Sequence, residues 1–473
     1  MLTGIFLIEE DKTMNSQSTK LSELRRANEN SDARKRLTYL FDDGSFTELN
    51  AFTKENDNLS GVVTAYGFVE GNPVYAFSQD KNIKGGAVGK AHAKKIAKVY
   101  ELAAKTGAPV VGIHDSNGAF IDGGADALSA YGDMLKWTSN ISGVVPQISV
   151  IAGTCAGSAA MIACSSDFVI MSKDAELFMA PPFDKDAGTA ESAAKSGTAS
   201  IVCDDDKSAV ETARKLVSIL PANNLSPVPL FEFDEPATAF SADAEKAVAS
   251  IADADSVIEI SKDFGLAAYT AFGSVQGATV GFAATNKTAQ KLNADDCAKL
   301  ARFVRTCDAF SIPVVTLIDS EGFESGSAAE IAGSIRNMTM LASAYAEATT
   351  VKVSVITGKA YGPVFVALSG KNSNSDMIFA LADAVITPLA PETAVEFLSH
   401  DKLKGAESAA AKRKELADEY IANEASAITA AEKNAVDDVI EPAELRTRII
   451  SALDVLSGKR VTRLSKKHSN MPL

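Results

Sequence analysis

The sequence predicts an α/β protein built from two tandem β/α domains. Three observations predict it. First, Val144–Met161 reads as a β-branched strand, Ile148–Ala152, broken by Gly153 and Gly157, with small residues then starting a helix. Second, Val353–Phe365 repeats that stretch. Ser149-Val150-Ile151 matches Ser354-Val355-Ile356 at an offset of 354 − 149 = 205, and Gly153 and Gly157 match Gly358 and Gly362. Third, a chain of 473 residues is too long for one ordinary core and long enough for two.

Each element has its own local reason. Leu21–Tyr39 is charged and helix-prone. Phe41–Phe46 carries Asp42-Asp43-Gly44, a turn into short strands. Thr64–Val69 and Val74–Ser78 alternate around Glu70-Gly71-Asn72-Pro73, a hairpin signal. A glycine loop follows, Lys84-Gly85-Gly86-Ala87-Val88-Gly89. Ile96, Val99, Tyr100 and Ala103 then mark one face of a helix that Gly107 stops. Pro109–Ile113 is the next strand, ending in Asp115-Ser116-Asn117-Gly118, where α/β proteins place function.

The second half keeps this order. Thr64-Ala65-Tyr66-Gly67 returns as Thr270-Ala271-Phe272-Gly273, the turn as Gln276-Gly277, and the stripe as Leu300, Phe303, Val304 and Cys307. Asp115-Ser116-x-Gly118 returns as Asp319-Ser320-x-Gly322, an offset of 319 − 115 = 204. Near-constant offsets over separate features identify a duplication. The seam falls in the Pro-, Asn-, Asp- and Ser-rich stretch Leu220–Ala249, dividing residues 1–235 from 236–473. Leu403–Ala431 reads as helix, and Lys459–Leu473 as a basic tail.

Composition narrows the function. The formal net charge of −15 disfavours nucleic acid or an anionic membrane as main partner, while an anionic small ligand feels only local charge. The five cysteines form no Cys-x-x-Cys pair, and the four histidines do not cluster, so no metal site is expected. No apolar run reaches membrane-span length, and the short patch Ile5–Ile8 lacks the basic start of a signal peptide. The expected location is cytoplasmic, with Met1 and Met14 both open as the start.

The repeated glycine junction carries the chemistry. A strand that passes through glycines into a helix leaves several backbone N–H groups unpaired at one point, fit to hold an anion or a developing oxyanion. Gly153-Thr154-Cys155-Ala156-Gly157 also has the form Gly-x-Cys-x-Gly, which would make Cys155 a nucleophile. The duplicate favours the backbone: it keeps the glycines and puts Ala360 where Cys155 stands. Lys81, Lys84, Lys90, Lys94 and Lys95 around Gly85-Gly86 are candidate phosphate contacts or a solvated helix face.

Six motifs follow one another along the chain: Phe77-Ser78-Gln79-Asp80 before Gly85-Gly86, Val145-Pro146-Gln147-Ile148-Ser149-Val150 before Gly153, Arg302–Asp308, Lys359-Ala360-Tyr361-Gly362, Val436–Pro442 and Lys466-Lys467-His468. In these motifs and their order the chain resembles the carboxyltransferase component of biotin-dependent acyl-CoA carboxylases and decarboxylases, of the propionyl-CoA carboxylase β and methylmalonyl-CoA decarboxylase α type. The resemblance implies two crotonase-like domains (ClpP/crotonase superfamily), the first for acyl-CoA and the second for biotin. It implies carboxyl transfer between carrier-bound biotin and the α carbon of a short-chain acyl-CoA, through a thioester enolate held by backbone donors. The partners it implies are a biotin carboxyl carrier protein and either a biotin carboxylase or a membrane decarboxylase subunit. The implied assembly is a homo-hexamer, a trimer of dimers.

Carried residue by residue, the resemblance puts the donor pair at Gly157 and Ser158 in the first copy and at Pro363 and Val364 in the second, with Gly362 beside them as a further catalytic candidate. Gly85, Gly86, Gly118, Gly153, Gly358 and Tyr361 are its cofactor-binding candidates. Three departures stand out. Pro363 replaces a glycine and has no N–H. Phe120 stands where the family has arginine. The segment after Met179-Ala180-Pro181-Pro182, which covers the substrate in the family, is short. A membrane-coupled decarboxylase subunit and a non-catalytic scaffold with a degraded biotin site are the alternatives.

Overall fold

The computed structural model describes residues 19–23, 25, 30–55, 58–180, 186–288, 291–371, 373–461 and 464–470. The Ile5–Ile8 patch, both candidate start residues and, of the short segment after Ala180, residues 181–185 lie outside the described residues. The chain forms two units. The first runs through Ser142 and takes in Gln147–Ala190 and Cys203–Lys215; the second holds Gly143–Pro146, Glu191–Val202 and Leu216 onward.

The sheet of the first unit has the core order Phe46–Leu49, Val62–Val69, Asn72–Gln79, Val110–Ser116, Gln147–Ala156, Phe168–Ser172. The first three strands are antiparallel and the rest parallel. The second unit repeats it with Ile258–Glu259, Tyr269–Val275, Ala278–Ala284, Val314–Ser320, Lys352–Tyr361, Met377–Leu381 and Asp438–Ile440. Antiparallel pairing again gives way to parallel after the third strand. The duplication read from the offsets is thus a duplication of topology.

Local chemistry explains the elements. Both hairpins turn on two residues at positive φ, Glu70 and Gly71 at 49° and 74°, Gln276 and Gly277 at 50° and 79°. That is the turn whose twist matches two antiparallel strands. Pro73, expected in the turn, instead stands in the strand Asn72–Gln79 opposite Phe68. The helix Lys90–Thr106 ends on Gly107 at φ 67°, and its stripe Ile96, Val99, Tyr100 and Ala103 is buried. The matching helix Ala294–Ala309 starts on an Asn293–Asp296 capping box and buries Leu300, Phe303, Val304 and Cys307. Val110–Ser116 is buried at every position, as a parallel strand covered on both faces must be. No helix among the described residues is long and apolar enough to cross a membrane.

The central strands run further than their sequence shows. Gln147–Ala156 passes through Gly153 instead of ending at Ala152, and Lys352–Tyr361 passes through Gly358. The break expected at Gly153 appears as a change of register. His114 pairs with Ile151 but Ser116 pairs with Cys155, and Ile318 pairs with Ile356 but Ser320 pairs with Ala360. Two steps on one strand oppose four on the next, a bulge at the same place in both units.

Candidate active site

Beyond the bulge each strand finds a new neighbour. Thr154, Cys155 and Ala156 pair with Glu176–Phe178, and Lys359, Ala360 and Tyr361 pair with Val385–Thr387. The pairing ends on a glycine. Gly157 sits at φ 64°, ψ −132°, and Gly362 at φ 54°, ψ −124°, a region closed to side chains. The helices Ser158–Ala163 and Pro363–Ser369 begin at once.

The hydrogen bonds decide which donors are free. Gly157 N–H donates to Phe178 O at 2.9 Å, and Gly362 N–H to Thr387 O at 2.9 Å. Gly157 was expected as a donor and Gly362 as a catalytic candidate, and both N–H groups are engaged by the adjoining strand. Ala160 N–H returns to Gly157 O at 3.1 Å. Between them Ser158 and Ala159 have no backbone partner among the described residues. The first copy therefore offers Ser158 and Ala159, one residue beyond the expected pair. In the second copy Pro363 is the equivalent of Ser158 and has no N–H, which makes it well suited to the first helical position. Val364 N–H has no backbone partner there among the described residues.

The remaining candidates gather at the same strand ends. In the first unit Asn117 N–H donates to Gly85 O at 2.9 Å, and Val88 N–H to Gly118 O at 2.8 Å. A side chain on Gly86 would strike the Asp115 carbonyl, and one on Gly118 would crowd the Ala156 carbonyl. Gly85, Gly86, Gly118 and Gly157 are thus brought to one end of one sheet. Gly153 and Gly358, expected to bind a cofactor, each face a carboxylate. A methyl on either would overlap Asp115 or Asp319. Tyr361 is buried, and burial raises its hydroxyl pKa, which keeps it protonated.

Side-chain chemistry at the first junction is quiet. Cys155 is wholly buried, and burial pushes its thiol far up, which disfavours the thiolate that a nucleophile needs. His114 meets Ser149 Oγ at 3.2 Å and His92 meets Gln79 Nε2 at 3.2 Å. Burial lowers these imidazoles to about 4 and about 3, so both stay neutral. Asp115 is paired with Arg36 at 3.0 Å. No group of three or more His, Cys, Asp or Glu among the described residues could hold a metal ion.

One lysine of the expected phosphate cluster is misplaced for that role. Lys95 is buried and donates to Val62 O at 2.6 Å, with Glu48 at 4.0 Å. Lys299 repeats it, donating to Ala268 O at 2.8 Å. Their offset, 299 − 95 = 204, was visible in the sequence, but a lysine reads there as surface. Lys81 and Lys84 stay at the surface, Lys81 beside Thr154 Oγ1 at 3.3 Å and Lys84 over the Phe120 ring at 4.5 Å.

Comparison with known proteins completes the picture. A family model described as carboxyl transferase domain matches residues 25–471. The chain is 38% identical to methylmalonyl-CoA decarboxylase subunit alpha of Propionigenium modestum, covering 96% of this chain and 95% of the relative. It is 36% identical to the propionyl-CoA carboxylase beta chain of Cereibacter sphaeroides, covering 93% of each. Among solved structures it matches the transcarboxylase 12S hexamer with methylmalonyl-coenzyme A and methylmalonic acid bound. That match has a TM-score of 0.92 and 33% identity, over 97% of this chain and 98% of the other. With two copies of the same strand–glycine–helix junction and a match over nearly its whole length, the chain belongs to the carboxyl transferase domain family.

Proposed function

We propose that this carboxyltransferase moves a carboxyl group between biotin carried on a separate protein and the α carbon of a short-chain acyl-CoA. The observation that carries the reading is the repeated junction. Each unit ends a strand on a positive-φ glycine, and among the described residues the N–H groups of Ser158 and Ala159 in the first and of Val364 in the second have no backbone partner.

The residues of this chain then act as follows. Ser158 and Ala159 N–H groups hold the thioester oxygen as it gains negative charge. Each such donor contributes roughly 3 kcal/mol in known oxyanion holes. The glycine loops at Gly85, Gly86 and Gly118 line the acyl-CoA side, within residues 1–235. Val364 N–H and the protonated Tyr361 face the biotin side, within residues 236–473, and fit a carbonyl oxygen as acceptor. Biotin, when its carrier docks, supplies the carboxyl group and a ureido nitrogen able to take the α proton. Such a chain works with a biotin carboxyl carrier protein, as a homo-hexamer in the cytoplasm.

The test is carboxyl transfer between methylmalonyl-CoA and free biotin or a biotinylated carrier. Biotin-dependent formation of propionyl-CoA is expected. Purified, folded protein that transfers no carboxyl group from any short-chain acyl-CoA overturns the reading. A second setting has its own support, because the relative at 38% identity is a decarboxylase α subunit. There the same half-reaction would be coupled to a membrane partner; co-purification with a membrane protein instead of a biotin carboxylase distinguishes the two.

A further inference from the structure

We infer that Asp115 and Asp319 are positioning residues for the two donor junctions, each acting through the bulge its carboxylate plugs; the inference rests on the carboxyltransferase reading. The bulge creates a local problem. Where two residues oppose four, the extra backbone loses its ladder partners. Asp115 Oδ1 accepts the N–H of Thr154 at 3.3 Å, and Asp319 Oδ1 accepts the N–H of Lys359 at 2.9 Å. Gly153 and Gly358 leave the space into which these carboxylates fit.

Each aspartate is in turn fixed from the strand on its other side. Asp115 N–H donates to Gln79 Oε1 at 3.2 Å, and Asp319 N–H to Thr285 Oγ1 at 3.0 Å. Three neighbouring segments are tied at one point in both units, with Thr285 just past the end of the strand Ala278–Ala284. The second carboxylate oxygen is held differently in the two. Arg36 Nη1 donates to Asp115 Oδ2 at 3.0 Å while its Nε donates to Asp206 at 3.0 Å. Asn286 Nδ2 donates to Asp319 Oδ2 at 2.9 Å.

Neither carboxylate bonds the free donors. Four residue steps separate Thr154 from Ser158 and Lys359 from Pro363. They are short paired strand, so a shift at the bulge is carried to the junction. A displacement of about 1 Å in a group that must meet a reacting atom can lower the rate by roughly a hundredfold. The duplication strengthens the argument. The first and second units have different residues around the aspartate, Arg36 and Gln79 against Asn286 and Thr285, yet keep the same carboxylate in the same bulge.

The experiment compares wild type with Asp115→Asn and Asp319→Asn. An amide offers one acceptor where two donors converge, so the bulge N–H and its opposite partner cannot both be met. Carboxyl transfer should fall about tenfold or more in kcat with KM for the acyl-CoA unchanged. Amide hydrogen exchange should quicken over residues 152–160 in the first variant and 357–365 in the second. Gly153→Ala should expel the carboxylate and match Asp115→Asn, and the double variant should lose no more than either alone. An unchanged kcat in folded variants, or additive losses in the double variant, overturns the inference. A fall in melting temperature with kcat intact gives the aspartates a structural role only and also overturns it. If wild type transfers no carboxyl group, the carboxyltransferase reading fails by itself. The exchange arm then still decides the tether, and unchanged exchange rejects it.

Discussion

Ser158 and Pro363 hold the same place in the two repeats: each is the first helical residue after a positive-φ glycine, and only Ser158 has an N–H to offer. Their offset is 363 − 158 = 205, that of the surrounding strands. The two junctions are therefore alike in backbone and unequal in donors.

Restoring the donor should raise the rate. Pro363→Gly adds an N–H beside that of Val364, and a full oxyanion donor is worth roughly 3 kcal/mol, about a hundredfold. Carboxyl transfer from biotin is expected to increase while acyl-CoA affinity stays the same. Steady-state kinetics of both proteins with one acyl-CoA check it. An equal or lower rate from a folded variant means another group already replaces the missing N–H.

Cys155 should be dispensable for chemistry. Its thiol is buried and stays protonated, and its equivalent is Ala360. Cys155→Ala is expected to keep most of kcat and to lose about 1 kcal/mol of stability from the small void. Abolished turnover in a variant that unfolds at a near-normal temperature would restore the thiol as a nucleophile.

The buried lysines should show in the pH dependence of stability. Burial lowers Lys95 to about 8 and Lys299 to about 7, below the ordinary lysine value of 10.5. Between those values and 10.5 the unfolded chain binds more protons than the folded one, so the pair makes stability rise with pH there. Each can add up to about 1.4 kcal/mol per pH unit within its window. Replacing both with Met should flatten the rise seen between pH 7 and pH 10 in denaturant melts. Parallel curves for the two proteins would show that the lysines titrate normally.

Assembly is a further expectation. The matching transcarboxylase 12S is a hexamer, and each chain here has a mass of 49.5 kDa. Light scattering at micromolar concentration should report a particle of six chains. A monomer under those conditions would contradict the proposed assembly.

Much of the fold was legible because it is written in local pattern. The stripe from Ile96 to Ala103, the Gly107 stop, the hairpin pairs Glu70-Gly71 and Gln276-Gly277, and the twice-used strand with its glycines all act over a few residues. Duplication then turned weak local signals into a strong one. Pro363 was readable as well, since a missing N–H is a property of the residue alone.

Tertiary structure decided the rest, because a backbone donor's partner comes from whichever strand lies beside it. Gly157 N–H is engaged by Phe178 and Gly362 N–H by Thr387, more than twenty residues on. That moved the free donors of the first copy to Ser158 and Ala159. The same holds for charge: nothing near Lys95 in sequence announces that Val62 O and Glu48 enclose it. Asp115 and Asp319 were visible as a repeated motif at strand ends, with Gly153 and Gly358 as repeated glycines. Only the packing of adjacent strands joined them, since a carboxylate fills a bulge where the neighbouring residue has no side chain.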